Sequence, residues 1–371
     1  MEKIKLNYDD VMIIPEVTSH IKSRSECKCW DNNGMLPIFA APMNTVVDEG
    51  SMYEFLNRGI YVVVPRTIDL DIRKKQLFNP VTYFYFVAVS ISEFEDIFVY
   101  NKGVCGNDYN CKQIRVCIDI ANGHMEDILE LVKKAKSLHD NICVMAGNIA
   151  NPKTFIEYEN AGIDYCRVGI GTGSGCLTSS NTGIHFPQFS LLEEIYKIKL
   201  ENKCKCKIVA DGGIRGYRDI QKALIFADYV MIGGLFNKAI ESAGKIKYGN
   251  FYMRVFGKKV LNPLKTLLYK GKSPRHITRK LKNQMKGGYV ELYKEFYGMS
   301  TKKAQLLINE SSKPKTSEGI IKTNKVEFTL SDWINNEISY LKSAMSYTNS
   351  VNLDEYKGSS YVVLNSISYN N

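Results

Sequence analysis

The sequence predicts a closed (β/α)8 barrel, the TIM-barrel class of α/β fold, and three observations support this prediction. Eight short apolar segments of strand character recur along the chain of 371 residues. They are apolar on both faces, which is typical of parallel strands that are covered on both sides. Helical patterns lie between them, and eight βα units favour closure into a barrel. A doubly wound open sheet is the alternative.

The predicted elements follow one another in a regular order. The eight predicted strands are 36–43, 60–64, 84–91, 115–120, 142–146, 163–169, 207–210 and 229–232. The clearest predicted helices, with apolar residues three or four positions apart, are 124–137, 151–160, 190–200 and 216–226. The length allows either one large barrel or two ordinary domains, and we interpret 1–371 as a single barrel domain.

A basic insertion interrupts the expected path after strand eight. Residues 245–286 contain 13 Lys and Arg and no Asp or Glu, so their net charge is +13. Because the whole chain has a net charge of +10, the rest of the chain has a net charge of −3. Helix-like pieces at 260–269 and 276–285 lie within it. A polar loop at 311–325, a helix near 331–347 and a short terminal strand at 361–367 complete the C-terminal tail.

The basic segment has two interpretations. Dense Lys and Arg with interspersed Tyr and Phe fit phosphate contact and base stacking, so one hypothesis is a catalytically degenerate barrel that binds nucleic acid. Charge runs on insertions are more often solvated surface or subunit contacts, and we favour that interpretation.

Cysteine usage and hydropathy predict a reduced, cytoplasmic protein without membrane contact. Several of the ten cysteines lie inside strand-like apolar runs, where cysteine behaves as a small hydrophobe. The one-residue spacing of Cys27/Cys29 and of Cys204/Cys206 differs from that of zinc sites. No stretch approaches the roughly 20 apolar residues of a membrane span, and the charged start lacks a signal-peptide apolar segment.

The stretch RVGIGTGSGCLTSSNTGIHFPQF, residues 167–189, is the strongest candidate for a functional loop. Three glycines at alternate positions, Gly169, Gly171 and Gly173, let the backbone turn its carbonyls or amides toward an ion or a phosphate. Cys176 follows them on a polar loop at the end of a strand, which suits a thiol nucleophile. A glycine-rich turn with an incidental cysteine is the alternative. Because other polar and glycine-rich clusters also fall at predicted strand ends, the functional interpretation is favoured.

Two further clusters have the composition of phosphate-binding loops. ADGGI follows strand seven, and MIGGLF leaves strand eight, so glycine amides lie ahead of helices where negative charge is favoured. The loops after strands seven and eight are the usual phosphate site of this architecture. Asp211, in the first cluster, is placed to accept hydrogen bonds from a ribose, and a helix cap or turn is the alternative.

These motifs together resemble the IMP dehydrogenase / GMP reductase family, and more closely its GMP reductase branch. The matching pieces are YDDVMIIP, KSRSEC, APMNTV, DIANGH, AGNIA, VGIGTGSGC with Leu177 and Thr178, ADGGIR, MIGG, FYGMS, TSEG, SYTNSVNLDEYK and YVVLNSI. The dehydrogenases usually carry a regulatory domain pair after the second barrel strand, whereas only about twenty residues separate Arg66 from strand three here. They also use an Arg-Tyr pair in their flap, and 301–330 contains none.

The resemblance implies an oxidoreductase of purine nucleotide salvage that converts GMP and NADPH to IMP, NADP and ammonia. Cys176 would attack purine C2 to form a thioimidate, and Thr178 with Glu318 would form the proton relay for ammonia. Considered without the family, Glu318 would more often be a solvated loop charge. The segment 301–330 would be an active-site flap, and the protein would be a homotetramer. The alternatives are IMP dehydrogenation and oxidoreduction of a related purine (deoxy)nucleotide.

The family match also implies ligand contacts, residue by residue. Those for the nucleotide are Ser174, Asp211, Gly212, Gly213, Gly233, Gly234, Gly298, Met299, Ser300, Lys315, Ser317 and Gly319. Those for NADPH are Ser23, Arg24, Arg66, Asp119, Ile120, Ala121, Val168, Gly169, Ser343, Ala344, Met345 and Ser346. The backbone carbonyls of Gly169, Gly171 and Cys176 resemble the family's potassium (K⁺) site.

Three positions depart from the family pattern. Thr172 replaces a usual proline, Ile320 a lysine, and Thr348-Asn349 a glycine. The last two changes fall near the expected dinucleotide, so the choice of nicotinamide cofactor and an altered nucleotide substrate stay open.

Overall fold

The computed structural model describes residues 4–79, 84–100, 113–173, 176–248, 292–308, 316–317 and 319–364. Its strands are β1 (Val11–Ile13), β2 (Ile38–Ala40), β3 (Tyr61–Val64), β4 (Tyr85–Val89), β5 (Ile114–Asp119), β6 (Ile142–Ile149), β7 (Tyr165–Val168), β8 (Lys207–Asp211), β9 (Tyr229–Ile232), β10 (Ile246–Tyr248), β11 (Leu292–Tyr297), β12 (Ile321–Lys325) and β13 (Tyr361–Val363). Its α-helices are α1 (Ser51–Leu56), α2 (Leu70–Leu77), α3 (Ile91–Glu95), α4 (Glu126–Leu138), α5 (Thr154–Asn160), α6 (Thr178–Thr182), α7 (Gln188–Glu201), α8 (Tyr217–Leu224), α9 (Gly234–Asn237), α10 (Lys302–Ile308), α11 (Leu330–Tyr347) and α12 (Leu353–Tyr356).

Strands β2 to β9 form a closed barrel in sequence order, and every neighbouring pair is parallel. The last strand closes on the first, with Ile38 opposite Val230 and Ala40 opposite Ile232. This closure confirms the predicted (β/α)8 barrel and shows that the open-sheet alternative is wrong. All eight predicted strands are present, with ends shifted by a few residues.

Both faces of the barrel strands are buried, which explains why these segments are apolar throughout rather than alternating. On β6, Cys143 and Met145 point into the barrel interior, whereas Val144 and Ala146 pack under the surrounding helices. Successive side chains of a strand point to opposite faces, so each face receives every second residue. A continuous apolar run is therefore the expected sequence of such a strand.

The helices cover the barrel with apolar stripes of helical period. In α4, the buried residues are Ile128, Val132 and Ala135, which share one face. The long α11 begins at a Thr329 cap that accepts a hydrogen bond from the Asp332 amide, and it buries Trp333 and Leu341 among others. No described helix is both long and apolar enough to cross a membrane.

Two small sheets lie outside the barrel. The N-terminal β1 pairs with β13, which confirms the predicted terminal strand over its described part. Strands β10, β11 and β12 form an antiparallel three-stranded sheet, hereafter the mouth sheet. The prediction that 311–325 is a loop is wrong at β12. This strand (IKTNK) is polar and alternates between exposed and half-buried positions, so hydrogen bonding to β11 defines it rather than apolar patterning.

Most of the basic insertion lies outside the described residues. Only 245–248 of the segment 245–286 are described, and the helix-like pieces at 260–269 and 276–285 are not. Its nucleic-acid and solvated-surface interpretations both stay predictions.

Candidate active site

The chemically interesting loops converge on one end of the barrel, hereafter the mouth, where the parallel strands end. Because all eight strands run in the same direction, the segments that follow β2, β5, β6, β7, β8 and β9 emerge at this end. Together with the segment after β3, they include the polar and glycine-rich clusters predicted from the sequence at 42–46, 65–67, 119–124, 146–148, 210–216 and 233–234, and the described part of 169–176. The other end, where the strands begin, is called the lower end below.

Cys176 lies in the loop between β7 and α6, and its thiol is held against a hydroxyl. Its Sγ donates to Thr178 Oγ1 at 3.2 Å, and its backbone N–H donates to the Gly173 carbonyl at 3.0 Å. Of the eight cysteines that the structure describes, Cys176 alone is not buried. Burial raises the pKa of the Cys117 thiol and of the Cys143 thiol to about 12, which makes them poor nucleophiles. Among the described cysteines, exposure therefore singles out Cys176 for chemistry.

The flap segment reaches the cysteine loop. Gly319 forms an antiparallel bridge with Cys176, and Ser317 donates its hydroxyl proton to the Gly319 carbonyl at 2.8 Å. Two residues that are 143 positions apart in sequence are thereby neighbours at the mouth. Lys315 and Glu318 lie outside the described residues, as does Ser174, and their predicted roles stay predictions.

Three glycines of the two pairs have a conformation or surroundings that disfavour a side chain. Gly212 has φ +101° and Gly213 φ +77°. A Cβ on Gly212 would lie 2.0 Å from Thr172 Oγ1, and a Cβ on Gly233 would lie 2.8 Å from Met43 Sδ. Gly233 directly precedes the short helix α9, which begins at Gly234. The absence of a Cβ at these positions allows closer approach to the backbone.

Thr172 ties the cysteine loop to β8. Its hydroxyl donates to the Asp211 carbonyl at 3.2 Å, a contact that the family's usual proline could not make. The substitution at this position therefore replaces a rigid residue with a specific hydrogen bond.

The Asp211 carboxylate, which was predicted to bind a ribose, has hydrogen-bond partners within the protein. Its Oδ2 accepts hydrogen bonds from Asn148 Nδ2 at 2.9 Å and from the Arg167 guanidinium at 2.8 and 3.0 Å. The helix-cap alternative is wrong, because α8 begins after Gly216 and no side chain caps it. Ribose binding by Asp211 stays a prediction.

Arg167 is the central charge of the mouth, and sequence reasoning missed it as a functional residue. It is buried between Asp119 and Asp211. Burial alone would disfavour its charge, but the two carboxylates hold the pKa of Arg167 well above its usual value. Arg66 Nη1 donates to the Asp119 carbonyl at 3.1 Å on the other side. A lone arginine inside a buried strand was the available signal, because buried charges are almost always paired.

The mouth also contains buried polar atoms without a protein partner. Among the described residues these include Asn44 Oδ1 and Arg66 Nε. Asn44 uses its amide to donate to Tyr297 OH at 2.8 Å, and Tyr297 leads into the predicted base-edge residues Gly298, Met299 and Ser300. Buried polar groups are normally satisfied, so these atoms are available for hydrogen bonds to a ligand or water.

The predicted cofactor residues fall into two groups that one chain does not bring together. The first group lies at or just beyond strand ends at the mouth and consists of Arg66, Asp119, Ile120, Ala121, Val168 and Gly169. Ser23, Arg24 and 343–346 lie at the far end of α11: Ser19 Oγ donates to the Ser346 carbonyl at 2.9 Å, and a short helix at Arg24–Glu26 packs on α11.

The direction of α11 separates these groups. The helix starts near the mouth, where the Leu330 amide donates to Glu241 Oε2, beyond β9 and α9. After it ends, Lys357 already contacts Asp228, directly before β9 begins at the lower end. Its 18 residues span about 27 Å.

The proposed K⁺ ligands have the right donor chemistry. A K⁺ ion prefers oxygen ligands, and Gly169 and Gly171 adopt positive φ values of +133° and +75° in this loop. One lone pair is already used on each of two carbonyls: Gly169 O accepts from Asn148 Nδ2 at 2.8 Å and Gly171 O from Ser179 Oγ at 3.1 Å. Within the described ranges, no group of three or more His, Cys, Asp or Glu side chains could hold a metal ion.

Comparison with known proteins gives a consistent picture. A family model described as "IMP dehydrogenase / GMP reductase domain" matches residues 110–368. The chain is 33% identical over 284 residues to a GMP reductase of Streptococcus gordonii, covering 70% of this chain and 83% of that protein. It is 34% identical over 271 residues to a GMP reductase of Bacillus subtilis, covering 69% and 78%. A GMP reductase of Helicobacter pylori is 34% identical over 268 residues, covering 68% and 77%.

Proposed function

The chain belongs to the IMP dehydrogenase / GMP reductase family, and we propose that it is an NADPH-dependent GMP reductase. One observation supports this most strongly. The partly exposed Cys176 thiol contacts Thr178 and is bridged by the flap residue Gly319, at the end of the barrel that carries both glycine pairs. The proposed reaction converts GMP, NADPH and a proton to IMP, NADP and ammonia.

Cys176 acts as the nucleophile in this proposal. Its sulfur forms a bond to C2 of the guanine, the bond from C2 to the exocyclic nitrogen breaks, and that nitrogen leaves as ammonia after protonation. The product is a thioimidate on the enzyme. A hydride then adds to C2, the carbon–sulfur bond breaks, and IMP leaves with Cys176 restored. Bound NADPH supplies that hydride.

Thr178 is the proposed proton carrier next to the sulfur. Its hydroxyl oxygen is 3.2 Å from Cys176 Sγ, close enough to take the thiol proton and to pass a proton toward the leaving nitrogen. Glu318 is the proposed second member of this relay. It precedes Gly319 in the chain, and Gly319 is the residue that pairs with Cys176.

The rest of the mouth is proposed to hold the nucleotide. The phosphate would be bound by Ser174 and by the amides of Gly212, Gly213, Gly233 and Gly234. The purine edge would be bound by Gly298, Met299 and Ser300, together with Lys315, Ser317 and Gly319 from the flap. Asp211 would accept from the ribose through the oxygen that Arg167 and Asn148 do not use. The carbonyls of Gly169, Gly171 and Cys176 would hold a potassium ion that keeps the cysteine loop in place.

The separation of the two cofactor groups supports an assembly. Within one chain, Ser23, Arg24 and 343–346 lie about the length of α11 from the mouth. A neighbouring copy in the proposed homotetramer would place its own group beside this mouth, and the dinucleotide would then bind between two chains.

A direct assay of NADPH oxidation and ammonia release tests the proposal. The purified protein with GMP and NADPH should lose the near-ultraviolet absorbance of NADPH and release one ammonia per NADPH oxidised. IMP with NAD tests the dehydrogenase alternative, and dGMP tests a deoxynucleotide substrate. Turnover with IMP and NAD but with no guanine nucleotide would overturn the assignment.

A further inference from the structure

Lys294 is fully buried on β11 and is surrounded by oxygen atoms. Its Nζ donates to the carbonyls of Ala239 at 2.7 Å, Ile240 at 3.1 Å and Ser242 at 2.5 Å, and it lies 2.9 Å from Ser242 Oγ. The exposed fraction of Lys294 is 0%. Lysine is almost never buried completely unless its charge is matched, so this arrangement requires a reason.

The oxygen cage suits a cation. An ammonium group has three N–H donors and no acceptor, and every neighbouring atom named here is an oxygen that can accept. Burial lowers the pKa of Lys294 to about 7, whereas Glu241 and Asp48 favour the charged form. A neutral amine would turn a lone pair toward carbonyl oxygens, so the geometry is matched to the charged form.

The cage joins two parts of the proposed nucleotide site. Ala239, Ile240 and Ser242 follow α9, the short helix that begins at the glycine pair after β9. Lys294 lies three residues before Tyr297, where β11 ends and the base-edge residues begin. The lysine therefore connects the segment behind a phosphate loop with the strand that carries the base-edge loop.

Asn237 supports the same junction from the last position of α9. It is fully buried, and its Nδ2 donates to the Thr45 carbonyl at 2.7 Å and to the Glu295 carbonyl at 3.1 Å. Its Oδ1 accepts from Asn324 of β12 at 2.8 Å. The mouth sheet is thus attached to the barrel through buried polar contacts.

The mouth sheet continues directly to the cysteine. Tyr297 of β11 pairs with Ile321 of β12, and Gly319, two residues before, pairs with Cys176. A displacement of β11 would therefore displace both the base-edge loop and the flap relative to the thiol.

We propose that Lys294 is a positioning residue. Its cationic side chain docks the mouth sheet on the segment after α9. It thereby aligns the base-edge loop, residues 298–300, and the flap with Cys176. The alignment role rests on the proposed function, whereas the docking role does not. An apolar side chain of similar length would fill the space but remove the charged donor that the caged oxygens share; Ser242 still donates to the Ala239 carbonyl, whereas the Ile240 and Ser242 carbonyls lose the bond from Lys294.

Hydrogen exchange tests the docking directly. Lys294→Met should speed exchange of the amides in β11 and in 319–325 at least about tenfold, the factor expected for losing one hydrogen bond to a charged group. The matched control is Lys238→Met. Lys238 lies at the same junction, but its side chain is partly exposed and pairs with Glu327. Barrel strand amides, such as those of β5, should exchange at the parent rate in both variants.

A chemical rescue separates the cation from the bulk of the side chain. Lys294→Ala should show the same faster exchange, and n-propylammonium, which matches the deleted atoms, should slow it again. Tetramethylammonium carries a charge but no N–H donor, and it should not. Unchanged exchange in Lys294→Met, equal acceleration in the barrel strands, or rescue by both ions would overturn the proposal.

Turnover distinguishes this proposal from the function on which it partly rests. In an active enzyme, Lys294→Met should raise KM for GMP and lower kcat, together by about 10- to 100-fold in kcat/KM, while Lys238→Met stays within about twofold. Parent-level kcat/KM in Lys294→Met would overturn the alignment role. If the parent protein has no activity on GMP but the exchange difference is present, the proposed function fails and the docking by Lys294 stands.

Discussion

The two ends of the barrel are built from different chemistry. At the lower end, the rings of Phe39, Tyr61, Phe86, Tyr165 and Tyr229 close the interior, with centroids 5.1 to 6.2 Å apart in the pairs that Phe39 makes. At the mouth there are glycine-rich loops and a partly exposed thiol that contacts Thr178. In this architecture the mouth carries function and the lower end carries stability.

Charges at the two ends show the same division. At the lower end, Asp228 is paired with Lys199 and Lys357 and also accepts from the Ile208 amide. Asp164 repeats the pattern with Lys136 and the Val144 amide. Both carboxylates therefore bind a lysine and a backbone amide of neighbouring elements. At the mouth, Arg167 leaves one oxygen of Asp211 without a contact to the guanidinium. The comparison predicts that mutations at the mouth change turnover, whereas those at the lower end change stability.

The largest expected effect is at the cysteine. Cys176→Ala should lower kcat at least about a thousandfold, because the bond to C2 cannot form, while the melting temperature stays unchanged. Cys204→Ala removes a buried thiol that lies just before β8 at the lower end, and it should keep parent turnover. Steady-state kinetics and thermal melting measure both. Equal loss of activity in the two variants would remove the distinction between the ends.

The lower end should respond in the opposite way. Phe39→Ala should reduce the free energy of unfolding by about 3–5 kcal/mol, because the ring is fully buried among four others. KM and kcat should stay near the parent values at a temperature where the variant is folded. Tyr53→Ala is the matched control, since this ring is 58% exposed and should cost less than about 0.5 kcal/mol. Denaturant titration checks both values.

Glycine at the mouth should matter for the nucleotide rather than for the fold. Gly212→Ala introduces a Cβ 2.0 Å from Thr172 Oγ1 at a residue of φ +101°, so the phosphate loop must shift. We expect kcat/KM for GMP to fall about 10- to 100-fold, since strain of this kind is about 1–3 kcal/mol. Gly216→Ala, four residues further on, meets nothing within 4 Å and should change kcat/KM less than about twofold. Comparable losses in both variants would count against the phosphate loop.

The smallest expected effect is a pH dependence at the lower end. Burial alone would raise the pKa of Asp228, but Lys199 and Lys357 lower it to about 2. A carboxyl with a depressed pKa in the folded state stabilises the protein above its unfolded pKa and loses that contribution as the pH falls. The parent should lose about 2 kcal/mol between about pH 4 and pH 2 that Asp228→Asn does not lose. Parallel unfolding curves for parent and variant in this range would contradict the assignment.

The sequence predicted the barrel well because its signal is local. A strand buried on both faces must be apolar throughout, and segments such as Tyr229–Ile232 show this without any knowledge of their neighbours. Strand ends then located the mouth loops, including the one that carries Cys176. Its contact with Thr178 follows from a separation of two residues, so it too was within reach of sequence reasoning.

Contacts between distant segments could not be predicted in the same way. Three contacts depend on how segments that are far apart in the sequence meet. They are the bridge between Cys176 and Gly319, the pairing of Arg167 with Asp119 and Asp211, and the cage around Lys294. Strand β12 was missed because its polar residues carry no apolar alternation. The separation of Ser23 and 343–346 from the mouth results from the direction of α11, which the sequence pattern does not encode.

A covalent adduct at Cys176 is the most direct test of the account. Mixing the protein with GMP that carries a radiolabelled purine ring, without a reductant, allows deamination but no reduction. Acid quenching and digestion should then recover the label on the peptide that contains Cys176, with one ammonia released per label. Label on a different peptide, or GMP turnover by Cys176→Ala at the parent rate, would contradict the claim that this thiol attacks the purine.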